Sequence, residues 1–152
     1  MRKISVILGF LLCFSIVQNA TLANTTDTKA QLAQEAMFRV MQHSANVLAN
    51  NQMASALNEI NLKAKEHPTN RDMAVINNIA QNALRSRART AGFGIVSENN
   101  LMASALKRIM DQADKYAADP VFGEVGDTAY LALRNSGVAV NRMKYMRKYR
   151  NW

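Results

Sequence analysis

Asn50-Asn51-Gln52-Met53-Ala54-Ser55-Ala56-Leu57-Asn58-Glu59-Ile60 returns as Asn99-Asn100-Leu101-Met102-Ala103-Ser104-Ala105-Leu106-Lys107-Arg108-Ile109, identical at eight of eleven positions. The two stretches lie 49 residues apart. A second block keeps that offset, Ala80-Gln81-Asn82-Ala83-Leu84-Arg85 against Ala129-Tyr130-Leu131-Ala132-Leu133-Arg134. Ala33-Gln34-Glu35-Ala36-Met37 is a fainter third copy, 47 residues before Ala80. Periods of this size belong to stacked helical units, because one such unit cannot bury its apolar face alone.

The stretches around the blocks carry the spacing of helices buried along one stripe. Leu32, Ala36, Val40 and Ser44, with Met37, Met41 and Leu48 beside them, predict a first helix. Asn50 or Asn51 would cap a second, whose stripe is Met53, Ala56, Leu57, Ile60 and Ala64. That helix ends by His67, since the residue before Pro68 disfavours the α conformation. Thr69 or Asn70 caps a third, with Met73, Ile76, Ile79, Ala80, Ala83 and Leu84. After the break at Gly92 and Gly94, Ser97 or Asn99 begins a fourth, with Met102, Ala105, Leu106, Ile109, Ala113 and Tyr116 on one face. Asp119-Pro120 opens a fifth along Phe122, Val125, Ala129 and Leu133, which Gly137 ends, and a sixth segment runs to Trp152. No stretch alternates with a period of two. The expected fold is all-α, five or six helices as antiparallel hairpins in a short repeat array or bundle. The eight methionines after Met1 read as adaptable core filler.

The Asp119-Pro120 turn, Val125 five residues on, and Ala129-Tyr130-Leu131-Ala132-Leu133 together resemble HEAT-type repeats. The earlier unit keeps Pro68, Met73 and Ala80-Gln81-Asn82-Ala83-Leu84. Two features depart from that pattern: Pro68 to Ala80 is three residues longer than Pro120 to Ala129, and Gly126 stands where the family has Arg. The resemblance implies a protein-binding scaffold without chemistry of its own.

Arg2 and Lys3, then the apolar run Ile4 to Val17, then Thr21-Leu22-Ala23 read as an export signal cut after Ala23. The apolar run is short against the ~20 residues of a membrane span, which sets cleavage above an uncleaved anchor. Cys13 follows Leu12 inside that run, so a lipoprotein signal is rejected. The expected divisions are a signal peptide at 1–23, a helical repeat domain at 24–137 and a basic aromatic segment at 138–152. Cleavage removes the one cysteine, leaving 129 residues that must be held by their core without disulfides. Thiol nucleophiles and cysteine metal sites are thereby excluded, and a soluble periplasmic or secreted protein is expected.

Charge is unevenly placed. From Asn24 to Asp127 eleven Lys/Arg balance eleven Asp/Glu; beyond Asp127 stand six cations and no acid. A pI near 10.0 would suggest nucleic acid, but here it describes a tail on a neutral body, and nucleic acid is not expected as a partner. Within the tail Tyr145, Tyr149 and Trp152 fall at i, i+4 and i+7, with Met146 alongside and Arg142, Lys144, Arg147, Lys148 and Arg150 around them. These are the candidate interaction residues. Such a segment either docks on an anionic lipid or glycan surface or a partner groove, or folds its aromatic face back as the cap a repeat array needs.

No constellation for catalysis, cofactor or metal is found. His43 and His67 lack a second histidine at i+3 or i+4. Asp111, Asp114, Asp119, Glu124 and Asp127 lack the glycine-centred alternation of a calcium loop. Gly92-Phe93-Gly94 is a lone turn. Arg85, Arg87 and Arg89 suit the end of a helix, where cations meet the dipole. Glu98 and Glu124 are the candidates for a carboxylate pair, whose separation sequence does not give. The expectation is therefore an exported, non-enzymatic scaffold or adaptor that binds another protein, as in an envelope assembly. Its rivals are an envelope-surface binder using the cationic tail and a cell-wall-acting enzyme. Mass spectrometry of the exported protein should find Asn24 at its N-terminus; a soluble form retaining Met1 would refute the signal reading.

Overall fold

A computed structural model describes residues 4–90, 94–116 and 118–140, with side chains from residue 27 onward. It contains α1 (Ile4–Lys65), α2 (Arg71–Thr90), α3 (Ile95–Ala113) and α4 (Pro120–Asn135), with a 3₁₀ turn at Asp114–Tyr116. No strand occurs among the described residues. The chain divides into two units, 1–43 and 44–152. The described part of the first is helical throughout; the described part of the second is an antiparallel four-helix bundle.

Among the described residues four α-helices stand where five or six were expected. The boundary placed at Asn50-Asn51 does not exist: α1 runs through it unbroken. Asn50 is the one buried polar residue among the described residues, and its Nδ2 donates to Glu98 Oε2 on α3 at 3.0 Å. A tertiary hydrogen bond thus takes the side chain that would otherwise cap. The sixth segment falls outside the described residues from 141 onward. Tyr116 is also displaced, because α3 stops at Ala113 and Tyr116 sits in the 3₁₀ turn, exposed.

The other boundaries follow local chemistry. Asn70 Oδ1 accepts the backbone N–H of Asp72 at 3.0 Å and of Met73 at 3.1 Å, capping α2. Asp119 does the same for α4, accepting Val121 N–H at 2.8 Å, with Pro120 in the first turn where its missing N–H costs nothing. These caps are 49 residues apart, so the duplication includes its start signals. At the far end of α4, Gly137 N–H donates to Arg134 O and Val138 N–H to Leu133 O. This doubly bonded ending needs a positive φ, and Gly137 supplies 75°. Gly94 enters α3 at φ 103°.

The core repeats with the same offset. Met53, Ala56, Leu57, Ile60 and Ala64 on α1 are buried, as are Met102, Ala105, Leu106, Ile109 and Ala113 on α3. Met73, Ile76, Ala80 and Ala83 on α2 match Phe122, Val125, Ala129 and Ala132 on α4. All belong to one cluster, with Ile79 and Leu84 at its edge. The two hairpins pack crosswise. Ala49 meets Ser136, Glu59 meets Thr128 and Lys63 meets Glu124, so α4 runs antiparallel along α1. Arg87 meets Glu98 and Asp72 meets Gln112, so α2 runs antiparallel along α3. Each hairpin lays its first helix on the other's second, which relates the halves by an approximate two-fold.

The expected buried stripe at 32–48 is overturned. Leu32, Met37, Phe38, Val40, Met41 and Leu48 are all about 60% exposed. Periodicity shows that a helix is amphipathic, not that something covers it. The faint copy at Ala33–Met37 is exposed too, so it is no third core unit. Leu57 and Leu106 are both completely buried. Leu57→Ala and Leu106→Ala should each lower stability by about 2–5 kcal/mol, and by similar amounts, in chemical denaturation. A large difference between them would show that the halves are not packed equivalently.

Candidate functional site

Duplication offers a control for the surface, because each seam between hairpins has a counterpart. At the α1/α4 seam, Thr128 Oγ1 donates to Glu59 Oε1 at 3.3 Å and Lys63 pairs with Glu124. At the α2/α3 seam the same positions are Ile79 and Arg108, and Val75 and Gln112. Ile79 and Arg108 leave the seam open between them. A groove of about 370 Å³ lies there, with Val75, Ile79 and Leu101 as its larger apolar wall and Asn78, Asn82 and Arg108 as its polar groups. Val75 and Leu101 are each 41% exposed, far from the zero exposure of the core leucines.

Both ends of the groove are closed by polar contacts. At one end Arg87 Nε lies 3.9 Å from Glu98 Oε2, the oxygen that also receives Asn50 Nδ2. Beside it Asn99 Nδ2 donates to the Asn46 carbonyl at 3.0 Å, tying α3 to α1. At the other end Gln112 Nε2 donates to Asp72 Oδ1 at 2.7 Å, and the Tyr116 hydroxyl bonds to the same carboxylate. The Tyr116 ring rests on Phe122, centroids 4.8 Å apart.

The groove is basic. Arg108 stands in its wall, and Arg71 and Arg89 share the helical face of Asn78 and Ser86 on α2. Its lining contains no acid, whereas the equivalent positions of the α1/α4 seam hold Glu59, Glu124 and Asp127. The two seams over one core have thus acquired opposite outer charge. Amides at Asn78 and Asn82 each carry a donor and an acceptor, the same pair that a peptide backbone offers.

The residues singled out from sequence are differently placed. Arg142, Lys144, Tyr145, Arg147, Lys148, Tyr149, Arg150 and Trp152 lie outside the described residues, as does Gly92-Phe93. Glu98 and Glu124 are not brought together. Glu98 is anchored beside Asn50 and Glu124 beside Lys63, positions thirteen residues apart on α1, or about 20 Å at helical rise. Glycosidase carboxylates stand within roughly 10 Å of each other. His43 is exposed on α1; the His67 carbonyl accepts Asn70 N–H in the turn before α2. Among the described residues no three His, Cys, Asp or Glu side chains gather to hold a metal, and no helix is long and apolar enough to cross a membrane. Arg85 and Arg89 are exposed, and Arg87 is drawn to Glu98.

Compared with protein families, curated proteins and solved structures, the chain finds no match in any of the three. The site therefore stands on its own geometry. Sequence reasoning missed the groove. The signal was present in the duplicated blocks at Gln52/Leu101 and Glu59/Arg108, two of the three positions where they differ.

The hydrogen bond to Asp72 raises the Tyr116 pKa above 10.0, assisted by the carboxylate's charge. The folded hydroxyl thus keeps its proton to higher pH than the unfolded one. The stability this bond contributes is full below the ordinary tyrosine range and lost as pH rises through the raised value. Tyr116→Phe should melt slightly lower than the parent at neutral pH, and thermal melts should show the gap closing in strong alkali. A gap that stays constant across that range would contradict the hydrogen bond.

Proposed function

We propose that the protein is an exported, non-enzymatic helical adaptor of the periplasm or extracellular space that holds another protein in the α2/α3 groove. The partner segment presents apolar side chains beside a carboxylate. One observation carries this reading: the two seams over the same core differ where they face outward, and the α2/α3 seam sets the exposed Val75 and Leu101 beside Arg108 where its counterpart has Glu124, Gln52 and Glu59. A seam needed only for folding would be free to close as its counterpart does. The likeness to HEAT-type repeats supports the same role, since paired helices of that kind present seams to protein partners. A second reading is favoured by the sequence from Arg142 to Trp152, whose cations and aromatics suit an anionic lipid or glycan surface.

A photo-reactive residue in place of Leu101 should give a covalent adduct to one envelope protein, at a peptide carrying Asp or Glu. The same residue in place of Gln52, the equivalent position of the other seam, should not. Arg108→Glu should weaken capture about 5- to 10-fold, most at low salt where exposed charges are least screened. Equal adducts at both seams, or none at Leu101, would refute the groove. Capture that survives Arg108→Glu but needs residues 142–152 would favour the envelope-surface reading.

A further inference from the structure

The apolar face of α1 between Ala30 and Leu48 is uncovered. At ~100° per residue, Leu48 lies across the helix from the buried Asn50 and Leu57. Written in heptads, Ala30, Met37 and Ser44 recur every seven residues, as do Ala33, Val40 and Val47, with Met41 and Leu48 next to the latter. No charged residue interrupts the stripe. Met37, Val40, Met41 and Leu48 are 59–65% exposed along it, and Phe38 is exposed at its flank.

We propose that this face is covered by the same face of a second copy, making the protein a homodimer through residues 30–48 of α1. Three properties of the segment point to a second copy. Its opposite side, Gln31, Glu35, Arg39, Gln42, His43 and Asn46, carries one acid and one base, and these pair with each other at 3.8 Å. A helix that adsorbs to an anionic membrane instead ranks lysines and arginines on its polar side. The stripe has no charge asking for an opposite one, so its best complement is another apolar stripe of equal width, which a two-fold supplies. The area is also sufficient: at roughly 100–150 Å² exposed apolar surface each, four side chains bring ~500 Å² per copy. Two copies then remove about 1,000 Å² from water, the area a specific interface has to reach. Paired helices with apolar residues every three and four positions fit by setting knobs into holes. The methionines adapt to that fit, having unbranched side chains.

The test is the molecular mass in solution of the mature chain, by light scattering after size exclusion and by sedimentation. Across a dilution series from about 1 to 100 µM, the range in which a micromolar dissociation constant is read, the mass should reach two protomers. Met37→Glu together with Met41→Glu should return it to one, with the bundle melting temperature retained. Gln42→Glu, on the opposite side, should leave the dimer intact. A single protomer throughout that range would overturn the proposal, and so would a dimer indifferent to Met37→Glu/Met41→Glu. If that variant fails to fold, the mass of Val40→Asp decides the matter by the same two outcomes. A monomer whose stripe instead binds neutral phosphatidylcholine vesicles would assign the face to lipid and refute the second copy. None of these variants touches the α2/α3 groove, so failure here leaves the adaptor reading standing, and the reverse.

Discussion

Burial of one side-chain pattern twice in one cluster is the constraint on which the bundle depends. Met53, Leu57 and Ile60 occupy α1 as Met102, Leu106 and Ile109 occupy α3, all essentially without solvent exposure. Interiors pack at near-crystalline density, so a change of one methylene on either copy is felt by the other. Alanines at Ala56, Ala105, Ala80 and Ala129 keep the helical surfaces low at matching places. An approximate two-fold satisfies this with one solution used twice. The caps at Asn70 and Asp119 obey it as well, because helices that must present equivalent stripes must start at equivalent points.

That constraint stops at the surface. Outward positions of the two halves share backbone geometry without sharing a packing requirement, and they have moved apart. Glu59 and Thr128 bond across one seam while Arg108 and Ile79 leave the other open. The closing contacts themselves contribute modestly, since exposed pairs of this kind are worth about 0–1 kcal/mol. Stability therefore placed little demand on keeping either seam as it was. A basic groove with an apolar floor can arise in such a setting without disturbing the core beneath it.

Much of the bundle was legible in the sequence because its signals are local. Asn70, Asp119-Pro120 and Gly137 act on backbone groups within a few residues, and the stripes of α2 to α4 follow a period visible in one dimension. Asn50 misled for a physical reason: an asparagine before an apolar run is an orphan-amide acceptor in one context and a tertiary donor in another. The partner that decides, Glu98, is 48 residues away. Ile79 could be read as core and Arg108 as solvated helix surface, yet they face each other across a seam that only the crosswise packing creates. Leu32 to Leu48 failed differently. Its pattern was read correctly as amphipathic, and its covering was assumed.

The two surfaces differ in what they require of the fold. The groove exists only where α2 and α3 are held side by side, so its walls are as ordered as the core that positions them. The stripe of α1 needs a helix and nothing more, and a helix of that length without tertiary contact is marginal in water. In the proposed homodimer, ordering the segment is thus coupled to covering it: each copy that supplies an apolar face also supplies the reason for the other's helix to persist. Association through such a segment carries an entropic cost that a preformed interface avoids. Its affinity should therefore depend on helix propensity along residues 27–48 as well as on contact area. Alanines at Ala30, Ala33, Ala36 and Ala45 meet that need, having the highest propensity of any residue and small side chains that admit close approach.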